Sequence, residues 1–141
     1  MTREDKELLL KDLCARLPYG VKMNHIADDE HSPKTLIGVA KDVITLEGLG
    51  GYECVDVENY KPYLFPLSSM TEEQKEELKN EISKQTDILI ERMKNDDCGI
   101  DCGKYHFHSL LELEWLLKNH FDYRGLIPKG LAIDATGLNI Y

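Results

Sequence analysis

Hydrophobic and polar positions follow two different periods along this chain, and the changes of period mark its elements. From Thr2 to Leu17 the spacing is helical. Thr2 can cap the first turn, acidic residues enrich that turn, and Leu10, Leu13, Cys14 and Leu17 share one face. Pro18 stops the helix. The pattern predicts that this helix docks on the domain through that face, with Cys14 a buried structural thiol.

From Tyr19 to Val57 the period changes to two. Val21 and Met23 alternate with Lys22 and Asn24, and two β-rich runs, 35–40 and 43–46, flank a tight Lys41-Asp42 corner. After the loop Gly48-Leu49-Gly50-Gly51, residues 52–57 form another β-rich run. Connections this short imply an antiparallel meander, because parallel strands need long crossovers. The glycine loop is followed by no helix, so it is no phosphate cradle. Tyr60-Lys61-Pro62-Tyr63-Leu64-Phe65-Pro66-Leu67 is extended and punctuated by proline. It reads as a strap crossing the open end of the sheet, or as an apolar groove for a partner.

Two capping boxes follow. Thr71-Glu72-Glu73-Gln74 opens a helix running to about Lys94, whose stripe of Leu78, Ile82, Leu89 and Met93 is narrow and interrupted by Gln85. That stripe predicts a surface helix laid on the domain, or one side of a modest homodimer contact. Its glutamates, Glu72, Glu73, Glu76 and Glu77, form a solvated face and no acid–base pair. Ser109-Leu110-Leu111-Glu112 predicts a second helix start, and the apolar residues that follow nearly encircle the helix. Such a helix belongs at the centre of the core. The segment 126–133 is an apolar tail that packs back on the body. The expected fold is therefore α+β: an N-terminal helix, an antiparallel meander of three to five strands, open or curled into a small barrel, and two C-terminal helices in one domain.

Three stretches, Leu17 to Lys22, Lys61 to Glu73 and Asn119 to Ala132, resemble small hypothetical proteins that recur in gut Bacteroidales genomes, prophages and other mobile elements. The resemblance implies a bacterial or phage protein and carries no activity with it.

Composition narrows the functional classes. The 141 residues suffice for a core without metal or disulfide, and a net charge of −9 opposes binding to phosphate backbones. An acidic surface favours protein partners. Absence of an export signal and of any bilayer-length apolar run makes the cytoplasm the expected compartment, no membrane partner is expected, and the four cysteines are expected to be reduced. The best reading is a non-enzymatic interaction or accessory protein, a monomer or a modest homodimer.

Two clusters are candidates for chemistry. Cys98, Cys102, His106 and His108 fall within eleven residues, each cysteine followed by glycine, and thiolate with imidazole suits zinc. In an extended segment His106 and His108 point to one side. The cysteine spacing is three residues, not the common two, and no distant ligand pair exists. A plain polar loop explains the same residues. A small thiol-dependent enzyme would need an orienting group and an oxyanion hole that the residues do not identify. His120, Asp122, Tyr123 and Arg124 form the second cluster, read either as a surface for an anionic or peptide partner or as structure, with Asp122 and Arg124 pairing or capping while aromatics seal the core.

Elemental analysis tests the metal reading directly. That reading requires stoichiometric zinc in purified protein and its loss in Cys98→Ser, and metal-free folded protein ends it.

Overall fold

A computed structural model describes residues 1–28, 32–95 and 103–141, with the backbone alone described at 89, 90, 92–95 and 103–108. Helix α1, Arg3–Arg16, starts at Thr2, whose hydroxyl accepts from the Asp5 amide at 3.1 Å and donates to the Asp5 carboxylate at 2.7 Å. That hydrogen bond holds the Asp5 carboxyl below its ordinary range. The strands are β1 (Lys22–His25), β2 (Lys34–Val39), β3 (Val43–Gly48), β4 (Gly51–Asp56), β5 (Tyr60–Leu64) and β6 (Ile133–Asp134). Two helices, α2 (Glu72–Asn95) and α3 (Gly103–Lys118), lie between β5 and β6.

The strands form one sheet in the order β4-β3-β2-β1-β5-β6, antiparallel throughout except that β6 runs parallel to β5. The α+β expectation holds, and the sheet is open: β4 and β6 are its two edges. Tight corners force the meander. Gly48 pairs with Gly51 across a two-residue turn, and β2 carries an irregularity between Leu36 and Gly38. A Cβ on Gly38 would stand 3.1 Å from both Cβ and Oγ1 of Thr45, so the close approach of β2 to β3 needs glycine there.

Four expectations change. The Tyr60–Leu67 stretch is no strap: residues 60–64 are a strand inside the sheet, with Pro62 opposite Met23, and Tyr63 and Leu64 have no exposure at all. Proline is tolerated because it removes a single donor from a strand whose outer flank is covered only from Tyr63 onward. The face that α1 buries is Leu9, Asp12, Leu13 and Arg16, one residue round from the predicted stripe, and Cys14 is exposed. A helix offers both stripes at the same spacing; the charged one goes inside because its partners are inside.

Helix α3 begins at Gly103, ahead of the Ser109 box, and is not the centre of the core. Leu110 is 63% exposed, and among the described side chains of the helix only Trp115, Leu116 and Leu117 are buried. The main core is built by Leu9 and Leu13 of α1, the inward residues of β1, β2, β3 and β5, and Leu126, Leu131 and Ala132 of the returning C-terminal segment. A smaller cluster gathers Trp115, Leu116 and Phe121 with Phe65, Met70, Leu78 and Tyr123 around it. Among the described residues, no helix is long and apolar enough to cross a membrane.

The two clusters meet at a buried ionic centre. Asp12 and Arg16 are both fully buried, joined at 2.6 Å through Arg16 Nε, and Arg16 Nη2 also donates to the Phe121 carbonyl at 2.7 Å. Removing one member leaves an uncompensated buried charge. Arg16→Ala should therefore cost about 3–5 kcal/mol in urea unfolding, whereas Lys6→Ala, which breaks a half-exposed contact to Asp42 and Glu58, should cost about 1 kcal/mol or less. Equal losses would show that the buried pair is not special.

Candidate functional site

Of the sequence-derived metal ligands, Cys98 and Cys102 lie outside the described residues. His106 and His108 belong to the helical backbone of α3, where residues two apart do not share a face as they would in an extended segment. Their side chains, too, lie outside what is described. Among the described residues no group of three or more His, Cys, Asp or Glu side chains has metal-binding geometry. Cys14 and Cys54 are free thiols.

The His120–Arg124 cluster is built into the body. Helix α3 ends there: the Phe121 amide bonds to the Leu116 carbonyl at 2.8 Å and the His120 amide to the Leu117 carbonyl at 3.1 Å. This is a Schellman motif with His120 at the left-handed position, φ 60°, where glycine is usual. Its imidazole stacks on Tyr141, ring centroids 3.9 Å apart, and the Tyr141 hydroxyl donates to the Tyr63 carbonyl. The Asp122 carboxylate accepts from the amides of Leu126 and Ile127, both at 2.8 Å, and so fixes the turn into the C-terminal segment. Arg124 approaches Asp12 at 3.3 Å and lies over the Tyr123 ring, 4.5 Å from its centroid. Asp122 caps and Arg124 pairs, although Arg124 pairs with Asp12 across the fold.

A concavity lies elsewhere, between α2 and α3. Leu78 of α2 packs on the cluster of Trp115 and Leu116, so the two helices pair antiparallel and leave a cleft of about 330 Å³ beside the contact. Glu77, Glu81 and Gln85 line it from α2, and Leu111, Glu114, Trp115 and Lys118 from α3. Leu111 and the almost wholly buried Trp115 supply its apolar lining, and its described rim carries three carboxylates against one ammonium. The Thr71 box that sets α2 in place is fully formed, the Thr71 amide donating to Gln74 Oε1 at 2.9 Å and the Gln74 amide to Thr71 Oγ1 at 3.2 Å. Residue-by-residue reading missed the cleft because it belongs to two helices at once. The signals were Gln85 in the seam of α2 and a glutamate beside the single tryptophan on α3.

Glutamates along α2 differ in their surroundings. Lys75 pairs with Glu72 at 2.6 Å and Lys79 approaches Glu76 at 3.7 Å. Glu73, Glu77 and Glu81 form no ion pair with any described residue, although Gln85 donates to Glu81 at 3.0 Å. Glu114 accepts a long bond from the Tyr19 hydroxyl at 3.4 Å.

No protein-family model, no curated protein and no solved structure matches this chain.

His120 makes a pH prediction. Burial first, and then the charges of Arg16 and Lys22, push its imidazole down to about 4. The unfolded chain takes up that proton near pH 6.5 and the folded chain resists until about 4. This contribution to stability is complete above pH 6.5, falls as pH drops towards 4, and is level below, about 3 kcal/mol in all. His120→Asn, whose side chain tolerates left-handed backbone, should flatten the slope of urea midpoints in that window. An unchanged slope would assign the titration to another group.

Proposed function

We propose that this chain is a non-enzymatic interaction protein of a bacterium or its mobile element, and that it engages a protein partner through the helical hairpin of α2 and α3. One observation carries the reading. Helix α2 is 24 residues long, yet none of its described side chains is buried. Helices in water draw most of their stability from packing an apolar face. The described body uses only a narrow contact at Leu78 for this purpose. Ile88 and Leu110 add apolar surface, 38% and 63% exposed. A helix held at its start and with no buried side chain described from Glu72 to Ile88 offers a platform for another molecule.

The bacterial or mobile-element setting rests on the three stretches that resemble hypothetical proteins of that origin. The acidic charge supports a protein partner over nucleic acid.

Affinity capture from a Bacteroidales lysate tests the reading when run in parallel with Glu77→Lys/Glu81→Lys. The expected result is a protein retained by the native chain and lost by the variant, whose melting temperature stays within a few degrees. Identical retention by both, or retention of nothing, counts against the hairpin as the docking element.

A further inference from the structure

We infer that the occupant of the α2–α3 cleft is a basic, amphipathic α-helix of the partner. This deepens the docking reading above and rests on it. The shape comes first. Two antiparallel helices in contact leave a groove between their backs, and a third helix completes such a pair by laying its apolar side chains into that groove. Here the half-buried Leu111 and the edge of the buried Trp115 are the apolar surface an anchor would meet, in a space of about 330 Å³.

Charge then selects among helices. Glu73, Glu77 and Glu81 recur at intervals of four, so they form one ridge of like charge along α2, and Glu114 faces that ridge across the cleft. Lys118 is the one cation among the described lining residues. Like charges four apart weaken a helix, and the Gln85 donor to Glu81 is the one side-chain hydrogen bond given to the ridge among the described residues. Lysine or arginine flanking the anchors of a docked helix would lie beside these carboxylates. A second copy of this chain fits poorly, since it would bring the same acidic ridge to the same acidic rim in a protein of net charge −9.

The chain holds a single tryptophan, Trp115, and it lies in the cleft. Its emission therefore reports occupancy. The full chain is titrated with a synthetic 14-residue Leu/Lys peptide patterned as an amphipathic helix, with a scrambled peptide of the same composition, and with the Leu/Glu counterpart of the first. The inference expects saturable change with the patterned basic peptide and binding at least about tenfold weaker with the scramble. Glu77→Gln/Glu81→Gln, which keeps helix propensity, should weaken binding about tenfold. Raising salt from 0.05 to 0.5 M should weaken it further. Equal binding of the scramble would reduce the effect to bulk charge and overturn the inference, as would preference for the acidic peptide or indifference to the two substitutions. Sedimentation of the chain alone that shows a dimer broken by the same substitutions would assign the cleft to a second copy and also overturn it. If lysate capture depends on Glu77 and Glu81 while the basic peptide fails to bind, the hairpin remains the docking element and only the partner's chemistry is wrong.

Discussion

The structure depends on neutralising one carboxylate. Asp12 has no exposure to water, and its charge is met by two guanidiniums, Arg16 from the same helix and Arg124 from the segment after α3. Buried charge is tolerated only with close partners and little displacement. That requirement fixes the rotation of α1, sends Leu9 and Leu13 into the core, and leaves Cys14 at the surface. Two cations on one anion leave an excess positive charge. The Phe121 carbonyl accepts from Arg16, and the Tyr123 ring lies beneath both guanidiniums, 5.8 Å from Arg16 Cζ and 4.5 Å from Arg124 Cζ. Carbonyl dipole and ring quadrupole together disperse it.

The same centre decides where α3 can go. Phe121 is tied to Arg16 through its carbonyl, while Phe65 bonds to both neighbours of Phe121, its amide to the His120 carbonyl at 2.9 Å and its carbonyl to the Asp122 amide at 2.8 Å. The helix is therefore anchored by its C-terminal end. Trp115, Leu116 and Leu117 are buried there, and exposure rises towards Ser109 and Leu110. Because α2 packs on α3, it inherits that distance from the sheet. The exposure of the hairpin follows from the position of the anchor, and α2 is capped at its start by Thr71 and Gln74.

Much of the fold was legible in the residues. Period, tight corners and caps placed α1, β1 to β4 and the start of α2 within a residue or two, because these elements follow from local rules. Three things were not legible. Pro62 argued for a strap, since a proline inside a sheet is tolerated only where a neighbouring strand makes no demand on its missing donor, and that depends on where the distant β6 begins. The stripe of α1 was read one residue off, because charged Asp12 and Arg16 look solvated until Arg124, more than a hundred residues on, is brought beside them. The apolar residues that nearly encircle α3 suggested a mostly buried helix at the centre of the core, yet hydrophobicity records only what a helix could bury; the anchor at Phe121 sets how much it does. The cluster at 120–124 was found as a cluster and its internal roles were anticipated, whereas the cleft was invisible because proximity of Glu77 to Trp115 is a property of packing.

The acidic ridge is hard to explain from inside the molecule. Carboxylates stabilise a helix through its dipole only within the first turn, which accounts for Glu72 and Glu73 and not for Glu77 or Glu81. Lysines at i+3 accompany Glu72 and Glu76, so the chain does place counter-charges on this helix where the outer face alone is concerned. Along the ridge that borders Leu111 and Trp115, Glu73 and Glu77 have no lysine at that spacing, and Lys84, at i+3 of Glu81, forms no ion pair with it among the described residues. Solubility does not require charge at the edge of an apolar floor when the opposite face already carries it. Carboxylates left without described counter-ions beside the half-buried Leu111 and the edge of Trp115 are what a binding site for a cationic, amphipathic segment needs: the apolar lining supplies contact, and the rim supplies orientation and the rejection of acidic competitors.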